Sequence, residues 1–182
     1  MKSNIETLIV GCIKNDEKCM MQLYDNYCNA MYNVVCRYVK NDEDAKDVMQ
    51  EGFLKAFLNI KNYKPDFTFG AWLKRIIINQ SIDYLKKRKL ELVNTEVEDL
   101  QIIDDEDWNF SSQITKDQII EHVEQLNEKH KIVVKLYLFE GYDHEEISQI
   151  LAIPIKTSRT HLRRGRIKLQ ELLKEKRYGT GY

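Results

Sequence analysis

The chain has 182 residues, enough for one medium or two small domains, and its formal net charge of −1 excludes a uniformly basic nucleic-acid-binding protein. Its seven glycines and two prolines are too few for a meander of short strands and turns, so helices are favoured. No apolar run approaches the ~18 residues of a membrane span, and the first residues do not form a convincing signal peptide. We therefore expect a cytoplasmic protein without membrane insertion.

The sequence lacks the patterns that accompany catalysis, cofactor binding or metal binding. The four cysteines, Cys12, Cys19, Cys28 and Cys36, form no CxxC pair and no mixed Cys/His spacing, so we interpret them as reduced thiols. There is also no glycine-rich phosphate loop, no HExxH and no GxSxG sequence. We expect a binding protein rather than an enzyme, with no cofactor and no metal.

Helical periodicity predicts a first helical domain over residues 17–90, preceded by an N-terminal extension of residues 1–16. Helices are predicted within this domain at residues 17–40, 43–60 and 69–89. The third of them is apolar on most faces, which is typical of a helix at the centre of a bundle.

The helix predicted at residues 43–60 has two contrasting sides. One side is an apolar stripe, and the other carries Asp47, Gln50 and Glu51 beside Leu54. Exposed carboxylates suit a protein partner better than DNA, since phosphates would repel them.

Residues 61–68 are predicted to form a loop, because Pro65 and Asp66 are turn-forming residues. The loop combines Tyr63 and Phe67, whose rings can stack on a base, with polar side chains that can bind base edges. The alternative is an ordinary surface turn with incidental aromatic residues.

Residues 91–114 are predicted to be an acidic linker, because residues 91–107 hold eight acids and no Lys or Arg. The linker also contains Ile102, Trp108 and Phe110, so it is either a solvated tether or a segment that enters a basic channel of a partner. Its 23 residues from 91 to 113 can span at most roughly 75–80 Å, at ~3.3–3.6 Å per residue. One turn of DNA is ~34–36 Å, so two domains on this linker can reach DNA sites about two turns apart.

The second domain is predicted over residues 115–178 and contains a helix-turn-helix. A capping-box pattern formed by Asp143 and Glu146 begins a short helix, Pro154 interrupts it, and a second helix follows. Residues 141–178 hold nine Lys or Arg against five acids. A basic second helix after a tight break predicts insertion into the major groove of DNA.

Three sequence blocks carry a resemblance to a known family: DAKDVMQEGFLKAF (44–57), FTFGAWLKRIIINQSIDYLKKRK (67–89) and LFEGYDHEEISQILAIPIKTSRTHLRRGRIKLQELL (138–173). They resemble extracytoplasmic-function (ECF) RNA polymerase sigma factors of the sigma-70 family. The resemblance implies an all-α fold of two small helical domains. It also implies an alternative sigma factor that binds core RNA polymerase and promoter DNA and directs transcription initiation, with an anti-sigma factor as a further partner.

The resemblance also assigns residues to each contact. The implied core-polymerase contacts are Asp47, Gln50, Glu51 and Leu54. The implied contacts with the −10 promoter element are Asn62, Tyr63, Lys64, Asp66, Phe67 and Asn79. The implied contacts with the −35 element are Lys156, Thr157, Arg159, Thr160, Arg163 and Arg164.

Three features of the chain qualify the resemblance. Ala152 and Lys156 stand where the family commonly has glycine. In the first domain, we interpret Trp72 as a core residue rather than as a residue that melts DNA. Two alternatives to a sigma factor remain: a helix-turn-helix regulator that acts without polymerase, and a helical adaptor with no DNA role.

Overall fold

The computed structural model describes residues 4–90 and 115–178, and both ranges are helical with no strands. The chain divides into two compact units, Met1–Thr95 and Glu96–Tyr182. The predicted all-α class with two helical domains is therefore confirmed. The predicted acidic linker of residues 91–114 lies outside the described residues.

The described part of the first unit is built from α1 (Asn4–Ile13), α2 (Glu17–Val35), α3 (Asp42–Asn59), a 3-10 turn (Ile60–Asn62) and α4 (Phe69–Leu90). Side-chain caps begin α2 and α3. The Asp16 carboxylate accepts hydrogen bonds from backbone N–H groups at the start of α2. The Asn41 side chain accepts one from the N–H of Asp44 at the start of α3. Both caps satisfy backbone donors that have no partner within the helix.

Helix α4 packs against both α2 and α3, and its Leu73, Ile77 and Ile82 are completely buried. This confirms the prediction of a central helix. Gly52 on α3 allows the close contact, because a Cβ at that position would lie 2.4 Å from Cδ1 of Ile77. The first unit is thus a helical bundle with α4 in its core.

Two predictions for the first unit are corrected. The segment 1–16, interpreted as an extension, contains α1, which packs on α2 and buries Leu8, Ile9 and Cys12. The helix predicted at residues 17–40 ends at Val35, five residues early. The prediction was too long because the helical spacing of apolar residues continues to Tyr38. Tyr38 is buried, but it lies in the turn that follows the helix.

The described part of the second unit is built from α5 (Lys116–Glu124), α6 (Glu128–Val134), a π-helical turn (Lys135–Phe139), α7 (His144–Leu151) and α8 (Ile155–Tyr178). Asp143 and Glu146 form the predicted capping box at the start of α7. Helix α8 packs against α5, α6 and α7. A Cβ at Gly165 would lie 2.6 Å from Cγ2 of Val134, so this glycine lets α6 and α8 approach closely.

Among residues 4–90 and 115–178, no helix combines the length and apolar character needed to cross a membrane. The same ranges contain no cluster of three or more His, Cys, Asp or Glu side chains able to hold a metal ion.

Candidate protein-binding and nucleic-acid surfaces

The outer side of α3 presents a mixed acidic and apolar surface, which we call the α3 surface: Asp47, Gln50, Glu51, Leu54 and Leu58. Asp47, Glu51, Leu54 and Leu58 are spaced three or four apart, which places them on one side of the helix with Gln50 beside them, and all are exposed. Leu54 is 63% exposed and Leu58 is 82% exposed. Two neighbouring exposed leucines beside carboxylates are suited to a protein partner. Sequence reasoning missed Leu58, although its position four residues after Leu54 could have indicated it.

Helix α3 is anchored to α4 by polar side chains, one of which bonds to Glu51 of the α3 surface. Gln80 is buried, and its Nε2 donates a hydrogen bond to the Glu51 carboxylate. The Tyr84 hydroxyl donates to the Asp44 carboxylate at 2.6 Å, and this bond is the main cause that raises the pKa of Tyr84. The acidic side of α3 is therefore held in a defined position before any partner arrives.

The loop that follows α3 is organised around Tyr63. The Tyr63 ring packs edge-on against the rings of Phe69 and Trp72, each with centroids 5.6 Å away. Its hydroxyl donates to the carbonyl of Phe67 at 2.8 Å. Tyr63 therefore belongs to an aromatic cluster with Phe69 and Trp72, in which it is half-buried, and its stacking on a base stays a prediction. The Phe67 ring is 73% exposed and presents a free face.

The other residues assigned to the −10 contact lie on the surface. Asn62, Lys64 and Asp66 are exposed around the loop, and Asn79 is exposed on α4. Helix α1 packs against the 3-10 turn that begins the loop. The N-terminal segment thus supports the loop, a role that sequence periodicity did not indicate.

The residues assigned to the −35 contact lie in the first three turns of α8. Lys156 and Arg159 are exposed, whereas Thr157, Thr160, Arg163 and Arg164 are half-buried. The Thr160 hydroxyl donates to the Lys156 carbonyl at 2.9 Å, so its proton is used within the helix. The exposed start of α8 is therefore basic, as predicted.

A closed turn joins α7 to α8. Ala152 adopts the left-handed conformation, with φ of 55° and ψ of 46°. The Ser148 hydroxyl donates to the carbonyl of Ile153 at 2.6 Å, and the Ile153 N–H donates to the carbonyl of Ser148 at 3.2 Å. Glycine adopts this conformation without strain, so Ala152 is an unfavourable residue for the turn.

Comparisons with known proteins give one family for both units. Residues 23–91 match Sigma-70 region 2, and residues 116–169 match Sigma-70, region 4. The chain is 27% identical over 190 residues to the ECF RNA polymerase sigma factor SigW of Bacillus subtilis (strain 168), covering 96% of this chain and 100% of the relative. It is 30% identical over 157 residues to the ECF RNA polymerase sigma factor SigE of Mycolicibacterium smegmatis, covering 84% of this chain and 60% of the relative.

Among solved structures, the fold is similar to that of the sigma factor RpoE from Bartonella quintana, crystallised with the anti-sigma factor NepR. The TM-score is 0.53 at 21% identity, covering 85% of this chain and 96% of that chain. Because both sigma regions match in order along the described helical units, the chain belongs to the sigma-70 family as an ECF-type RNA polymerase sigma factor.

Proposed function

We propose that this sigma factor binds core RNA polymerase through the α3 surface and directs initiation at promoters with separated −10 and −35 elements, in the cytoplasm. The loop of residues 61–68 and the exposed side of α4 read the −10 element. The first turns of α8 read the −35 element. The chain acts by binding and positioning, without catalysing a reaction of its own.

The observation that carries the proposal is the division of surface chemistry between the two units. The first unit exposes carboxylates beside Leu54 and Leu58, a combination that DNA phosphates would repel and a protein partner can bury. The second unit exposes Lys156 and Arg159 at the start of a helix that follows a tight turn. The family match to both regions favours this function over a regulator that binds DNA without polymerase.

An anti-sigma factor is proposed as a further partner. A structural neighbour was crystallised with such a protein, which supports the idea for this chain. The same exposed leucines that suit polymerase could also be covered by an inhibitor, which would make the two partners competitors.

The test measures DNA binding and transcription with and without polymerase. Purified protein is mixed with a promoter library alone, with the cognate core RNA polymerase, or with both. We expect sequence-selective promoter binding and run-off transcription only when core polymerase is present. Tight, selective DNA binding by the protein alone, or failure to bind core polymerase, would overturn the proposal.

The contact surface is tested by reversing charge. Asp47→Lys should weaken core binding and leave the fold intact, because Asp47 is exposed on α3. The matched control is Asp25→Lys, which reverses an exposed acid on α2. Equal affinity of both variants for core polymerase would remove the α3 surface from the proposal. Glu51→Lys is a less clean test, since it also breaks the hydrogen bond from Gln80.

A further inference from the structure

The helix-turn-helix contains a buried polar contact made by none of the residues assigned to DNA. Ser158 lies in the first turn of α8 between Thr157 and Arg159, and it is completely buried. Its hydroxyl oxygen lies 2.9 Å from Nδ1 of His144, the first residue of α7. Either atom can donate this hydrogen bond, depending on the tautomer of the imidazole. The bond ties the start of α7 to the start of α8, across 14 residues of sequence.

His144 is oriented by two features that do not involve Ser158. Its ring stacks on the ring of Tyr137 from the π-helical turn, with centroids 5.0 Å apart and planes 27° apart. Its backbone follows Asp143, whose capping box with Glu146 begins α7. The imidazole therefore reaches Ser158 from a position that the stack and the cap have already defined.

The contact constrains how the start of α8 is rotated about the helix axis, together with the burial of Leu162, Leu169 and Leu173 further along the helix. Successive residues of a helix project about 100° apart, so a shift of one residue would replace Ser158 in its buried site by Thr157 or Arg159. Thr157 would add a methyl group to this completely buried site, and Arg159 would bring a charge into it. Burial of Ser158 therefore constrains the directions in which Lys156 and Arg159 project. The Ser148 bonds close the connecting turn but do not reach α8 side chains.

We propose that His144 is a positioning residue for −35 recognition: its hydrogen bond to Ser158 sets the rotation of α8 and hence the direction of the base-reading side chains. This inference rests on the proposed function, in which α8 reads the −35 element. His144 itself need not touch DNA.

The test uses variants that separate the bond from the ring stack. His144→Asn keeps a hydrogen-bonding atom near the position of Nδ1 and loses the stack on Tyr137. His144→Phe keeps a ring for the stack and loses the bond. Ser158→Ala removes the partner hydroxyl, and this small change keeps the test usable if the larger change at His144 impairs folding.

Holoenzymes reconstituted with each variant select from a promoter library randomised across the −35 element. We expect His144→Asn to keep the wild-type preference. His144→Phe and Ser158→Ala should each lower discrimination between preferred and disfavoured sequences by about 2–12-fold, the range expected for one lost hydrogen bond. The variant that combines His144→Phe with Ser158→Ala should lose no more discrimination than either single variant, because both changes remove the same hydrogen bond.

A general loss of stability would give a different pattern. Ser81→Ala removes a hydroxyl that is equally buried but bonds to the Ile77 carbonyl of its own helix, 2.9 Å away in the first unit. This control removes a buried hydroxyl outside the helix-turn-helix and should leave the −35 preference unchanged; the unfolding temperature of every variant is measured in parallel. If the wild-type holoenzyme shows no −35 sequence preference, the proposed function fails. If it shows one, the ratio of variant to wild-type discrimination tests the role of His144. Full preference in His144→Phe, or losses that multiply in the double variant, would overturn it.

Discussion

The exposed leucines of the α3 surface give the sharpest quantitative test of polymerase binding. Completely burying a leucine side chain is worth about 1.5–3 kcal/mol. Leu54 is 63% exposed and Leu58 is 82% exposed in the free protein, so most of this free energy is still available to a complex. Multiplying the free energy of complete burial by the exposed fraction gives the free energy that each side chain can still contribute to a complex. This is about 1–2 kcal/mol for Leu54 and about 1.2–2.5 kcal/mol for Leu58.

Alanine at either position should therefore weaken binding to core polymerase by about 5- to 60-fold. The free energy of unfolding should change by no more than about 0.5 kcal/mol, because both side chains are already in water. The assay titrates core polymerase into protein carrying an amino-terminal fluorophore and follows anisotropy, with thermal unfolding measured in parallel.

The matched control is Met21→Ala, which truncates a side chain on α2 that is 61% exposed. Its affinity for polymerase should equal that of the wild type. Unchanged affinity in the Leu54→Ala, Leu58→Ala double variant would refute the reasoning. So would an equal loss in the Met21→Ala control, because the effect would then not belong to the α3 surface.

Four further outcomes are expected. Arg159→Ala should lower the discrimination between −35 sequences by about 1–3 kcal/mol per lost guanine contact. Arg166→Ala should instead weaken binding to all sequences alike, and selection from randomised promoters distinguishes the two effects. Phe67→Ala should slow promoter opening, since stacking on one base is worth about 1–3 kcal/mol, and abortive-initiation kinetics measure this. Ala152→Gly should stabilise the second unit by about 1 kcal/mol, because it relieves left-handed strain, and calorimetry that shows a lower unfolding temperature would contradict this. Burial is the main cause that raises the pKa of Cys12 to about 11, so alkylation of Cys12 at pH 8 should be more than about 100-fold slower than that of an ordinary thiol. Because the pKa is higher in the folded state than in the unfolded state, the contribution of this thiol to stability is present below about pH 8.5. That contribution is lost as the pH rises towards 11.

The local signals in the sequence were sufficient for the start of α7 and for the division of surface chemistry. Asp143 and Glu146 cap this helix as predicted, because a cap involves only residues within three positions of one another. The exposed acids of α3 and the basic start of α8 also follow from helical periodicity alone, since periodicity decides which side of a helix faces the core.

Contacts between distant segments were decided only by the tertiary structure. The apolar pattern of α1 did not show that it packs on α2, and Tyr63 could not be known to turn its ring into a cluster with Trp72. The bond between His144 and Ser158 likewise joins two helices through a turn whose geometry no local pattern specifies. Periodicity indicates which residues are buried, but the partner each buried residue meets depends on how the helices pack, and that packing is a property of the whole unit.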